Sequence, residues 1–216
     1  MVIRAPMIVT SSSASLDRIS IVGMCGAGKT TMAAQLARLL NVAHLEIDEL
    51  AHGPNWSRTP DEELARQLGS VVEGASWIVD GTYLDRIGDV VWRRATTVVW
   101  LDYPRRTLLR RVVVRSLRRI VTRQRLWYGN TERWSDLWRP DHPIRYVWIR
   151  TAQRRRQIEA LCAASPAAGG SPPDVVRHRS PRDTRRWIEE LHDAVERHDG
   201  GVKTIAPATP LHDSGS

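Results

Sequence analysis

Three groups of residues in this chain have types and spacing suited to chemistry. The first is the run Gly23, Met24, Cys25, Gly26, Ala27, Gly28, Lys29, Thr30, followed by Thr31. It reads G-x-x-x-x-G-K-T, the pattern of a phosphate-binding loop (P-loop, Walker A). Glycines let successive backbone N–H groups turn inward around an anion, and the N-terminus of a following helix adds partial positive charge. In such a loop residues 23–31 hold a nucleotide, Lys29 reaches its β and γ phosphates, and the Thr30 hydroxyl ligates Mg2+. The second group is a pair of acids, Asp48 and Asp80, each following a short apolar run. Asp48 is suited to ligate the metal or to take a proton from an acceptor hydroxyl, and Asp80 to serve the metal directly or through water. Capping of Glu49-Leu50 and an Asp80-Gly81 turn are the plainer explanations, but two such acids beside one phosphate loop exceed what capping needs. The third group is arginine. Arg115 and Arg119 lie one helical turn apart on one face, Arg123 extends that face, and Arg154 comes from a later helix. We expect these four to neutralise the transferring phosphate, with the remaining arginines of that helix forming its solvated side.

Residues 18–22 read as a strand ahead of the loop, and residues 31–40 have helical spacing behind it. Further strands are expected at 42–47, 76–79, 96–101 and 174–178. Helices are expected from Thr59-Pro60, with Thr59 as cap and Pro60 at the first position, over 84–94, from Pro104 to about Arg125, over 144–162, and from Pro181 to about His198. The apolar set of the Pro104 helix is Leu108/Leu109, Val112/Val113, Leu117 and Ile120/Val121; Asp102 reads as its start. Strands alternating with helices give βαβ units, hence an α/β fold with a parallel sheet and helices on both faces. Ligands in such sheets bind at the carboxyl ends of the strands. That is where the glycine loop, Asp48 and Asp80 fall.

The chain divides into a loose leader (1–15), one domain (16–198) and a tail expected to be disordered (199–216). Within the domain, residues 126–143 carry Trp127, Trp134 and Trp138 between helices. They read as a small lid packed by those tryptophans. A flexible connection covers about 163–173. The 216 residues suit a single core. The net charge is +8, and of 32 basic residues only Lys29 and Lys203 are lysine. With nine Trp and no Phe, this points to a compositional bias toward Arg, so only the clustering of arginine is informative. Two cysteines without metal-like spacing suggest a reducing compartment. No run has transmembrane length and no signal-peptide core is visible, so a cytoplasmic, monomeric protein is expected.

The chain resembles the adenylate-kinase-like P-loop kinases, and is most like the bacterial group known as topology modulation proteins or adenylate-kinase-related kinases. The likeness covers about residues 18–198. It rests on the glycine loop, on Ile47-Asp48 with His52 and Trp56, on Val79-Asp80-Gly81-Thr82-Tyr83, on Trp100-Leu101-Asp102-Tyr103-Pro104, and on Arg118-Arg119 leading to Leu126-Trp127-Tyr128-Gly129-Asn130-Thr131-Glu132. The resemblance implies a three-layer P-loop NTPase fold, a five-stranded parallel sheet of order 2-3-1-4-5, a mobile lid, and the use of ATP and Mg2+. It also implies that Asp48 stands where related shikimate and gluconate kinases place an acid for the acceptor hydroxyl. Adenylate kinases carry Asp-Gly-Phe-Pro-Arg where this chain has Asp80-Gly81-Thr82-Tyr83-Leu84, which argues against AMP as acceptor.

The expected function is therefore ATP-dependent phosphoryl transfer to a small molecule, the class of nucleotides included. The alternative is a nucleotide-switched regulator or a nucleic-acid-binding ATPase, suggested by the Arg-rich helix and interleaved tryptophans; nucleic acid is the less favoured partner. No Asn-Lys-x-Asp guanine signature exists.

Overall fold

The computed structural model describes residues 16–87, 90–139, 142–163 and 172–199. The expected leader, most of the 163–173 connection and the tail lie outside these residues. A five-stranded parallel sheet runs β2-β3-β1-β4-β5, the expected order. Its strands are β1 (Arg18–Gly23), β2 (His44–Glu46), β3 (Trp77–Asp80), β4 (Thr97–Leu101) and β5 (Asp174–His178).

Strict alternation along the central strands builds two cores, as a sheet covered on both faces requires. Ile19, Ile21, Ile78, Val99 and Leu101 point to one side. They meet α1 (Lys29–Leu40), α5 (Arg105–Thr122) and α7 (Pro181–Asp199). Val22, Trp77, Val79, Val98 and Trp100 point to the other. They meet α2 (Ile47–Ala51), α3 (Asp61–Val72) and α4 (Leu84–Ile87). The long helix α6 (Pro143–Ala163) serves both cores, Val147 entering the first and Ile158 the second.

Several local expectations are corrected. β2 is three residues long and stops at Glu46; Ile47 already begins a helix. Asp48 therefore lies inside α2 rather than at a strand end. Pro60, not Thr59, precedes the first residue of α3, because the Thr59 hydroxyl is drawn away to the Leu50 carbonyl at 2.6 Å. The expected helix over 84–94 is a single turn at Leu84–Ile87 and a separate 3-10 turn at Trp92–Arg94. In α5 the buried row is Leu108, Val112, Ser116 and Ile120, spaced by four, so Leu117 and Val121 fall on the outer side and are exposed. Asp102 is more than a helix start. It accepts from Arg155 Nε at 2.7 Å and Arg177 Nη2 at 2.6 Å, tying the end of β4 to α6 and β5.

Candidate active site

The glycine loop joins β1 to α1 at the carboxyl end of the sheet, as a phosphate loop should. Gly28 has φ 93°, ψ 27° and turns the chain into the helix. Gly26, at φ 79°, is required twice over: a Cβ there would sit 2.6 Å from Val112 Cγ2 and 2.9 Å from the Leu108 carbonyl oxygen. Helix α5 thus packs directly onto the loop. Arg111 of α5 reinforces that contact, donating from Nη1 to the Ala27 carbonyl at 3.1 Å. The segment after β3 fixes the opposite side. Thr82 Oγ1 accepts from the Gly23 N–H at 2.9 Å and donates to the Gly23 carbonyl at 3.0 Å.

An oxygen cluster gathers at the start of α1. Thr30 Oγ1 lies 3.1 Å from Glu46 Oε1 and 3.4 Å from Asp80 Oδ1. Asp80 is 1% exposed, and its other oxygen meets His44 Nε2 at 2.8 Å. The register explains the convergence: Glu46 and Asp80 are paired ends of adjacent parallel strands, and Asp80 is also beside Ile21 of β1. Burial, with Asp80 and Asp48 nearby, pushes the Glu46 carboxyl up to about 7, against the Thr30 hydrogen bond and Lys29. Two hard carboxylates, each within hydrogen-bond distance of the same hydroxyl, form with it a donor set that fits Mg2+.

Asp48 stands apart from Thr30. Its Oδ1 accepts a short hydrogen bond from the Tyr83 hydroxyl, which also lies 3.4 Å from His52 Nε2. Burial first, then the Asp48 charge, raises the Tyr83 phenol well above its ordinary range, so it stays a donor. Tyr83 directly follows Thr82, whose hydroxyl bonds the Gly23 backbone, which places Asp48 and Tyr83 beside the glycine loop. Trp56 meets His52 edge to face, ring centroids 5.8 Å apart.

Opposite these acids stands α5. Arg115 and Arg119 occupy its partly buried flank. Arg115 Nε is buried without a hydrogen-bond partner among the described residues. Burial and then Arg115 lower the Arg119 pKa, while the charges of Glu132, Glu46 and Asp48 act the other way. Arg115 and Arg119 continue, at spacings of four, the flank from which Arg111 reaches the Ala27 carbonyl of the loop.

The other two expected arginines do not join them. Arg123 has φ 47° and caps the end of α5, fully outside the helical row, so the face does not continue through it. Arg154 shares the inward face of α6 with Val147, Thr151 and Ile158. It is 5% exposed and donates to Asp85 at 2.8 Å and Tyr146 at 2.6 Å. The expected lid is built differently too. Residues 126–139 form two 3-10 turns, Trp127–Gly129 and Trp134–Trp138. Trp134 and Trp138 are exposed, so they do not pack it. The turn is held instead by Asn130, 6% exposed. Its Oδ1 accepts from the Trp56 N–H at 3.3 Å, and its Nδ2 donates to the Gly53 carbonyl at 3.0 Å.

Glu46, His44, Arg111, Thr82, Asn130 and Glu132 are the functional candidates that sequence reasoning missed. Thr82, Asn130 and Glu132 stand within the motifs behind the resemblance but were assigned no role, and Glu46 carried a signal as an acid within a short apolar run that a shorter strand would leave at its end.

No protein-family model matches the chain, and no curated protein matches it. Solved structures do. The chain is similar to a shikimate kinase from Bacteroides thetaiotaomicron, with TM-score 0.50 at 16% identity, covering 83% of this chain and 98% of that one. It is similar also to a shikimate kinase from Acinetobacter baumannii in complex with shikimate, with TM-score 0.50 at 16% identity, covering 86% of this chain and 96% of that one. At such identity the likeness is one of fold: the chain has the three-layer α/β fold of the P-loop kinases.

Proposed function

We propose that this chain is an ATP-dependent kinase for a small-molecule acceptor, acting as a monomer in the cytoplasm. The observation that carries the proposal is the convergence of Thr30, Glu46 and Asp80 at the head of the glycine loop, with Asp48 and Tyr83 alongside. Thr30, Glu46 and Asp80 would hold Mg2+, directly or through water. The ion, when bound, neutralises charge on the β and γ phosphates. Lys29 and the backbone of residues 23–31 hold the triphosphate, and Arg115 and Arg119 oppose the charge of the transferred group.

Asp48 takes the proton of the acceptor hydroxyl as that oxygen forms its bond to the γ phosphorus and the bond to the ADP oxygen breaks. Tyr83 keeps the Asp48 carboxylate oriented. Arg58 and Arg86 both bind Asp61. Arg154, on its Asp85 and Tyr146 partners, braces α6 rather than touching phosphate. Within the P-loop kinases we favour the topology-modulation-like group, on the motifs running from Gly23 to Asn130.

The test is a screen of nucleoside monophosphates, sugars and shikimate-like acids for ATP consumption and for ATP-dependent thermal shift. Lys29→Ala is expected to abolish ATP binding. Asp48→Asn is expected to keep ATP binding and lose transfer to the acceptor so identified. Full turnover by Asp48→Asn would remove Asp48 from its role.

A further inference from the structure

Glu132 is the one buried acid among the described residues of the 126–143 segment, at 9% exposure. A buried carboxylate costs several kcal/mol unless it is paired, on the order of the loss seen when buried ion pairs are broken. It is paired on both sides. Oε1 meets His142 Nε2 at 2.8 Å, and Oε2 lies 3.9 Å from Arg119 Nη1. His142 is itself buried, and the backbone N–H of Ile144 donates to its Nδ1 at 3.3 Å. A backbone N–H can only donate, so Nδ1 is the acceptor and Nε2 carries the proton. His142 therefore donates to Glu132 in a fixed direction, set by the first turn of α6.

On the other side of Glu132, Arg115 and Arg119 stand at i and i+4, where like charges repel. Arg119 has one ion-pair partner among the described residues, and it is Glu132. An arginine side chain is long and loses much rotamer freedom when it is ordered. Without a counter-ion beside it, Arg119 would be driven away from Arg115 and toward solvent.

We propose that Glu132 is a positioning residue: anchored by His142, its carboxylate holds Arg119 beside Arg115 and turned toward the cradle, so that the guanidinium meets a triphosphate already oriented. This rests on the kinase reading of the same site. Three elements distant in sequence then act together, with the start of α6 fixing His142, His142 fixing Glu132, and Glu132 fixing the phosphate-facing arginine of α5.

The test is a double-mutant cycle on ATP affinity with Mg2+ present, read by titration calorimetry on the full chain. Glu132→Gln keeps the shape and still accepts from His142; only the charge facing Arg119 is lost. It is expected to weaken ATP binding about three- to tenfold, an effect the size of a charge-assisted contact. Arg119→Ala is expected to weaken it at least as much. In the Arg119→Ala background, Glu132→Gln is expected to have no further effect, because it acts through Arg119. His142→Gln provides a second route: it leaves the Glu132 charge but loosens its anchor. It should weaken binding in the parent and not in Arg119→Ala. Unchanged or tighter ATP binding in Glu132→Gln would overturn the proposal, as would an equal loss in both backgrounds, which would mark Glu132 as merely structural. A parent chain that fails to bind ATP would sink the kinase reading itself, and the positioning role with it. Parent binding that Lys29→Ala abolishes, combined with no coupling, would sink the positioning role alone.

Discussion

The Thr30 hydroxyl and the Glu46 carboxylate are 3.1 Å apart, although sixteen residues separate them in the chain. That contact joins the start of α1 to the end of β2 and puts a second carboxylate next to Asp80. With no cation to offset them, the acids at this point oppose one another.

Glu46→Gln should therefore separate stability from function. The folded-state pKa of Glu46 is raised from 4.5 to about 7. Between those values the folded chain holds a proton that the unfolded chain has released, so stability falls as pH rises through this window. Removing the charge should stabilise the metal-free protein at pH 8 by about 1–2 kcal/mol after allowance for solvent screening, and should do nothing below pH 4.5. Melting curves in chelator at pH 8 and pH 4.5 would check it. The same variant should need several-fold more Mg2+ to bind ATP, the expected trade between a comfortable site and a working one.

His178 should show the opposite pH dependence. It lies at the end of β5, 2% exposed, against Trp187, with neither ring nitrogen hydrogen-bonded among the described residues. Burial lowers its pKa from 6.5 to about 4. Below 6.5 the unfolded chain gains a proton that the folded chain refuses, so stability falls as pH drops toward 4. By pH 5 the loss is about 2 kcal/mol. His178→Leu should melt less steeply with acidification than the parent between pH 7 and pH 5. Parallel curves would show that His178 is not held neutral.

Asn130→Ala should loosen the wall of the acceptor side. It removes both bonds to the 53–56 segment and strands the Trp56 N–H and the Gly53 carbonyl. Two lost partners at a buried side chain should cost about 1–3 kcal/mol of stability. Since neither bond touches the glycine loop, ATP affinity should stay within about twofold while the Michaelis constant for the acceptor rises. Steady-state kinetics with the acceptor found by screening, beside an ATP titration, separates the two.

The strands were legible because their signals are local, apolar runs and glycine punctuation, whereas their order followed from the resemblance to P-loop kinases. The place of the glycine loop between β1 and α1 was legible from equally local signals. The acid of β2 was not, because its place depends on where the strand ends, and pairing with β3 decides that after three residues. Asp48, two residues on, has the same composition signal and a different environment. Among the many arginines of α5 and α6, nothing in the spacing marks Arg111 as the one on the loop or Arg154 as the one turned inward. Glu132 and His142 are ten residues apart, on either side of the Trp134–Trp138 turn. No periodicity relates them, and only the fold brings them together. Trp134 and Trp138 misled in the other direction, since bulk and aromaticity predict burial that the segment does not supply.

The place of β2 in the sheet has a further consequence. β1 has a strand on each side, while β2 is an edge strand of three residues. Spontaneous opening of backbone hydrogen bonds is governed by such local differences, and short edges open long before a central strand does. The glycine loop thus hangs from a central strand, where exchange should be slow, and Glu46 from a short edge, where it should be faster. Fraying of that edge would move Glu46 without unravelling the glycine loop, so under the proposed metal role hydrogen exchange at His44–Glu46 should slow when the site is loaded.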